Sequence, residues 1–397
     1  MRGHIDHVAL TRHLPALDGL RALAVIAVIA FHLGWISGGF LGVDLFFVLS
    51  GFLITSLLLS DARGEGGIDL RAFWARRFRR LLPAVALTIG GVLAWLAVWG
   101  TAAEQANARD DARWAIPYLA NWHLIAQARD YWATAVEPSV FTHLWSLAVE
   151  EQFYVLWPLV VWVLVRRGGP TRRLVWVTGA LAAASWVALV VLHDPSNPSR
   201  VYLGTDTRAF ALLLGALAAL LPLARRPADR RSEAVAGLAM LGLCVLWVVG
   251  GDLRDWLLRG GLLVHSGLAV TLIALVAADR TWLGLPLGTR PLVWIGQRSY
   301  GLYLWHWPVL VLIRPRTPNV PAAVRDVIII AISVALAELS YQWIEHPIRR
   351  REGWATGQRA ARATAGLMLI AAVVALIAPS GRGHVASFDL ASIAPVP

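Results

Sequence analysis

No lysine occurs anywhere in the 397 residues, so the 36 permanently basic side chains are all arginines. That absence excludes the phosphate lysine of a Walker A loop, a pyridoxal Schiff base and a retinal linkage, each of which needs an ε-amino group. Cysteine is almost as scarce. The single copy, Cys244, lies in an apolar run, which excludes a disulfide framework, a CxxC metal or redox motif and a haem attachment. Charge is sparse as well, at 15% of residues against 57% hydrophobic, with a mean hydropathy of +0.60. A water-soluble globule of this length does not look like that. What is present instead is long apolar sequence and 20 tryptophans, which suit the half-wet belts at a membrane surface. The formal charge of +11 is therefore expected to meet a bilayer and not nucleic acid.

A helix needs about 20 apolar residues to cross the hydrocarbon, at about 1.5 Å per residue over about 30 Å. Eleven stretches meet or approach this: 15–35, 40–60, 81–100, 142–165, 174–192, 206–223, 234–250, 261–278, 292–313, 322–345 and 364–379. The pattern predicts an all-α polytopic transmembrane bundle, about ten core helices plus an eleventh, with no strands beyond short loop pieces. Placing the N-terminus in the cytoplasm puts 23 arginines in inner segments and nine in outer ones, as positive-inside retention requires. The apolar stretch 114–126 is only 13 residues long, and if it crossed, later arginine clusters would face outward. It is expected to be an external interfacial helix. The resulting organisation is a cytoplasmic segment 1–14, a transmembrane domain 15–350, a cytoplasmic segment and last span 351–379, and an extracytoplasmic tail 380–397. The protein is thus expected to be a multi-pass protein of the cytoplasmic (inner) membrane.

Ionisable side chains inside spans are costly, so each is a candidate for function. Arg21 and His32 in the first span are eleven residues apart, which places them on one helix face and about 16 Å apart along the axis. A neutral imidazole can take a proton from a hydroxyl near neutral pH, which suits His32 to a base. Asp44, near the outer end of the second span, could fix the His32 tautomer or pair with another group there. Ser50–Gly51 reads as a close helix-packing site, since no GxSxG elbow exists. The inner loop expected after the second span packs Arg76, Arg77, Arg79 and Arg80 beside Phe73, Trp74 and Phe78. Such a run anchors to anionic lipid or clamps phosphates, with the aromatics as stacking platforms for a base. Glu150 and Glu151 adjoin in the fourth span and cannot both face one cavity. Arg208 opens the sixth span, Tyr303 and His306 share a face of the ninth, and Glu345 with Arg349 reads as an end-of-helix pair.

Taken together, LDGLRALAVIAVIAFH, FWARRFRRLLPA, HLWSLAVEEQFYVLWP, TDTRAFALLLGALAA, SYGLYLWHWP and SYQWIEHPIRR resemble, in order over about residues 14–350, the acyltransferase 3 family of integral membrane acyltransferases, in its OafA/YrhL-like branch. The resemblance implies that the arginine, ten residues, histidine motif needed for activity falls on Arg21 and His32. It places the family's RxxR pair on Arg76/Arg79 or Arg77/Arg80, since both registers fit. Its glutamate matches Glu150 better than Glu151, and its further arginine and histidine match Arg208 and His306. The implied activity is transfer of an acyl group, often acetyl, from cytoplasmic acyl-CoA to a hydroxyl of an extracytoplasmic carbohydrate or glycolipid, without a metal. Many members of the branch continue into an external SGNH-type domain, which does not appear within this chain and would be a partner. On this reading the arginines hold the donor's phosphates, and His32 acts as base or acyl carrier with Glu150 or Asp44 orienting it. A proton-coupled transporter is the alternative, because intramembrane Arg, His and Glu also line solute pathways. No symmetric pair of interrupted helices supports it, and a non-catalytic scaffold leaves the histidine stripe unexplained.

Overall fold

A computed structural model describes residues 14–350 apart from 65, 130, 133–138, 167–170 and 222–227, together with 359, 362, 365, 366, 368 and 369. The expected tail 380–397 lies outside the described residues, and the expected span 364–379 lies almost wholly outside them. No strand occurs among the described residues, and all ten of the other expected spans are helices. In chain order the main helices are α1 (Pro15–Leu33), α2 (Gly42–Arg63), α3 (Leu70–Trp99), α4 (Ala102–Ala115), α5 (Ala120–Ala126), α6 (Leu144–Arg166), α7 (Thr171–Val191), α8 (Thr205–Leu220), α9 (Arg230–Val249), α10 (Leu262–Ala277), α11 (Arg290–Ile313) and α12 (Ala322–Ser340), of which all but α4 and α5 correspond to the ten expected spans. Seven helices among the described residues are long and apolar enough to cross a membrane. The other three of the ten differ for visible reasons: α8 has 16 residues, α11 carries Arg290 and Arg298, and α12 carries Arg325, Asp326 and Glu338.

The apolar side chains divide by environment. Leu20, Leu45, Phe52, Phe210 and Leu272 are closed inside the bundle, whereas Val98, Leu156, Trp176, Leu238 and Val327 face outward. Broad outward apolar exposure of this kind destabilises a protein in water and suits one in lipid. Small residues let the central helices meet. A Cβ on Gly51 of α2 would overlap the Leu212 carbonyl of α8, and one on Gly215 of α8 would overlap the Val48 carbonyl of α2. Close backbone approach is what small residues supply between membrane helices. Gly51→Ala is therefore expected to lower stability by about 1–3 kcal/mol, the range for overpacking a closed core. Unfolding in mixed micelles measures it, and an unchanged transition would show that α2 and α8 can separate freely.

Two expectations about local structure are corrected. The arginine segment Arg76–Arg80 is not part of a connecting loop, because α3 begins at Leu70 and continues unbroken through 30 residues. Asp69 caps it by accepting from the Ala72 amide at 3.0 Å, which offsets one of the unpaired amides at a helix start. The stretch 114–126 is not one helix either. Pro117 cannot donate into a helix, Tyr118 takes φ 58°, and the chain breaks into α4 and α5. Thr101 and Glu104 close a capping box at the start of α4. The break between α4 and α5 is held against α6, where Gln152 Nε2 donates to the Tyr118 carbonyl (2.8 Å) and to Asn121 Oδ1 (3.0 Å). Arg129 Nη1 reaches Asp111 at 3.0 Å and His123 Nε2 lies 3.0 Å from Asp110 Oδ2, so the arms are tied by polar contacts.

Candidate functional site

The arginine-bearing start of α3 and the N-terminal half of α1 frame a cavity of about 780 Å³ between α1, α2, α3, α6 and α11. Helical periodicity decides which arginines reach it. Successive side chains turn about 100°, so four arginines within five positions cannot share one direction. Arg77 and Arg80 line the cavity together with Arg21 and Arg350. Arg76 is exposed and pairs with Asp61 at 2.9 Å. The structure thus brings one of the two RxxR registers, Arg77/Arg80, to the cavity.

Within the cavity the charges are tied to fixed neighbours. Arg21 Nη1 lies 3.7 Å from Asp18 Oδ1, one turn earlier on α1. The Arg77 guanidinium stacks 3.8 Å from the centre of the Tyr154 ring, a cation–π contact. Glu150 faces the cavity and accepts hydrogen bonds from Ser50 Oγ and from the Tyr154 hydroxyl. Ser50 therefore has a polar role that helix packing alone did not suggest, while its neighbour Gly51 supplies the close packing. Glu151, the adjacent carboxylate, is buried and does not line the cavity. The one-residue step between the two sends them in different directions, as the helix requires.

Tyr303 and Ser146 also line the cavity, with their hydroxyls 2.7 Å apart. The Tyr303 hydroxyl also donates to the His143 carbonyl at 3.0 Å. Three histidines adjoin this part of the lining, two of them in ring contact with Tyr303. His32 Nδ1 lies 3.0 Å from His306 Nε2, with the rings stacked at 5.1 Å. His143 sits 5.9 Å from His306 and 5.6 Å from Tyr303, measured between ring centres. His32 is not among the residues lining the cavity.

Neither carboxylate proposed from the sequence to orient His32 touches it. Asp44 Oδ1 instead accepts from Arg208 Nη2 at 2.8 Å, with both side chains fully closed off from solvent. The hairpin between α1 and α2 is short enough to bring Asp44 near His32, but α8 packs along α2 and delivers Arg208 first. Glu150 lies six residues along α6 from its start and is held by Ser50 and Tyr154. The partner of His32 is His306, which the sequence singled out only as a pocket residue. His143 and Ser146 were missed. Their signal is weak, since one histidine and one serine at the head of an apolar helix look like ordinary boundary residues.

The acyltransferase domain of the acyltransferase 3 family matches residues 14–341. A putative peptidoglycan O-acetyltransferase of Bacillus subtilis (strain 168), YrhL, is 42% identical over 352 residues, which is 85% of this chain and 55% of that protein. The peptidoglycan O-acetyltransferase OatA of Listeria monocytogenes is 41% identical over 353 residues, 85% of this chain and 56% of its own length. The O-acetyltransferase OatA of Staphylococcus aureus (strain NCTC 8325 / PS 47) is 41% identical over 354 residues, 86% of this chain and 58% of its own. The chain spans little more than half the length of these relatives. No solved structure matches it. On this match, with the arginine, histidine and glutamate motifs in order, the chain belongs to the acyltransferase 3 family.

Proposed function

We propose that this protein is a membrane O-acyltransferase that carries an acyl group, acetyl by analogy with its relatives, from acyl-CoA on the cytoplasmic side to a hydroxyl of a cell-envelope glycan outside. Peptidoglycan is the acceptor class that the names of the relatives suggest. The observation that carries the reading is the cavity, whose lining includes Arg21, Arg77 and Arg80 as well as Tyr303, the ring of which lies 5.5 Å from that of His306, the hydrogen-bonding neighbour of His32. A CoA head is too charged for hydrocarbon, but arginine forks suit its phosphates, and its slender pantetheine arm is on the order of the about 16 Å between Arg21 and His32.

The chemistry follows from what each group can hold. The acceptor hydroxyl loses its proton to the His32 imidazole as its oxygen bonds to the thioester carbonyl carbon. The carbon–sulfur bond then breaks, and the His32 imidazolium passes that proton to the leaving thiolate, giving the ester and free CoA thiol. Tyr303 is held at the cavity lining by its hydrogen bonds to Ser146 and the His143 carbonyl. Glu150 is read as a cavity group that sets Ser50 and Tyr154 under Arg77, and not as the partner of His32.

Arg77→Gln with Arg80→Gln is expected to weaken CoA binding about 10–100-fold, and less so at high salt, because a hydrogen bond to a charged group contributes about 1.5–3 kcal/mol. Arg76→Gln, facing away, should change it little. Titration of CoA into purified protein at two ionic strengths measures this. Equal affinity in all three proteins would return the cluster to lipid anchoring.

A further inference from the structure

We infer that His306 is a positioning residue that fixes the tautomer of His32, so that the lone pair of His32 is held on Nε2. The inference rests on the reading of His32 as the base. It starts from one backbone oxygen. His306 Nδ1 lies 3.0 Å from the Leu302 carbonyl, one turn earlier on α11. A carbonyl oxygen can only accept, so Nδ1 carries the proton, and in the neutral ring Nε2 then carries the lone pair. His32 Nδ1 lies 3.0 Å from that Nε2 and must be the donor. A neutral His32 protonated at Nδ1 has its own lone pair at Nε2, the nitrogen that no hydrogen bond among the described residues occupies.

Two neighbours keep the arrangement from being scrambled. His143 Nε2 lies 3.2 Å from the Leu304 carbonyl, so its ring N–H is committed there and does not compete for His306 Nε2. Trp307 packs its ring 4.5 Å from His32, and its indole N–H donates to the Ser139 carbonyl at 2.9 Å, which fixes the wall against which His32 rests. A histidine therefore does here what a carboxylate does in a Ser–His–Asp triad, which is to hold a base in the productive tautomer. It adds no charge in doing so. Burying a fixed negative charge at this depth would be costly, and a neutral acceptor oriented by a main-chain carbonyl avoids that cost.

The test compares His306→Leu, which removes the acceptor, with His306→Gln, whose amide oxygen can still accept from His32 Nδ1. Nitrogen-15 spectra of histidine-labelled protein in nanodiscs, with His32 assigned from a His32→Ala sample, read the tautomer without any acyl transfer. The wild type is expected to show His32 protonated at Nδ1, His306→Leu to lose that preference, and His306→Gln to keep it. Turnover with acyl-CoA should fall about 100-fold or more in His306→Leu with little change in donor KM, and recover at least tenfold in His306→Gln, within the range general-base catalysis contributes. His32 protonated at Nε2 in the wild type, or a spectrum and kcat in His306→Leu equal to the wild type, would overturn the inference. If the tautomer is as stated yet His32→Ala still transfers acyl groups, the pairing stands and the assignment of His32 as base fails.

Discussion

His32→Ala should leave a folded protein that binds CoA normally and transfers acyl groups at least about 10²–10⁴ times more slowly, the span that a positioned base contributes. The separation of binding from turnover is the informative part. His32 pairs with His306 and does not line the cavity, so its loss removes nothing that the arginines use to hold the donor. A merely structural histidine would behave differently, lowering stability and donor affinity together. The measurement is CoA release from proteoliposomes given acetyl-CoA on one side and glycan fragments on the other, with CoA affinity measured on the same preparations. Full turnover in the variant would discard His32 as base, and no turnover in the wild type with any hydroxyl acceptor would favour a transport role for the same polar path.

The second large effect concerns stability. Arg208 and Asp44 are closed from solvent and joined at 2.8 Å, and Arg208 Nε, Arg208 Nη1 and Asp44 Oδ2 find no hydrogen-bond partner among the described residues. The guanidinium is further held 5.0 Å from the centre of the Tyr202 ring. Removing one member strands a charge in a low-dielectric interior, and breaking such a pair typically costs about 3–5 kcal/mol, whereas replacing both with apolar residues of similar volume is often neutral. Asp44→Leu and Arg208→Met should each destabilise by that amount, and the double variant should regain most of it. Denaturation in mixed micelles gives the cycle. A pair of single substitutions that each cost under about 1 kcal/mol, or a double variant as weak as the sum of both, would show that the pair does not act as a unit.

Of the two adjacent glutamates and the four clustered arginines, only Glu150, Arg77 and Arg80 line the cavity. Arg76, Arg77, Arg79 and Arg80 were legible as a basic cluster near a membrane surface, and Glu150 as a buried carboxylate. Which of them face a common space depended on α3 beginning at Leu70, a cap set by Asp69, and on the rotation of α3 against α6 that the Trp74 indole fixes by donating to the Tyr154 carbonyl at 3.0 Å. The spacing of Arg21 and His32 placed both on one helix face. It could not reveal that Arg21 lines the cavity while His32 instead pairs with His306, because that histidine lies more than 260 residues later in the chain.

The sequence by itself determined the class of protein, the ten helices and the side of the bundle where arginines collect. Those follow from local physics: hydrocarbon accepts only helices long and apolar enough to satisfy their own backbone, and glycine and proline mark where they end or meet. Only the tertiary structure decided the pairings. Asp44 took Arg208 and His32 took His306 because helix packing selects among polar groups that are equally able to pair, and every such choice joins residues distant in the chain.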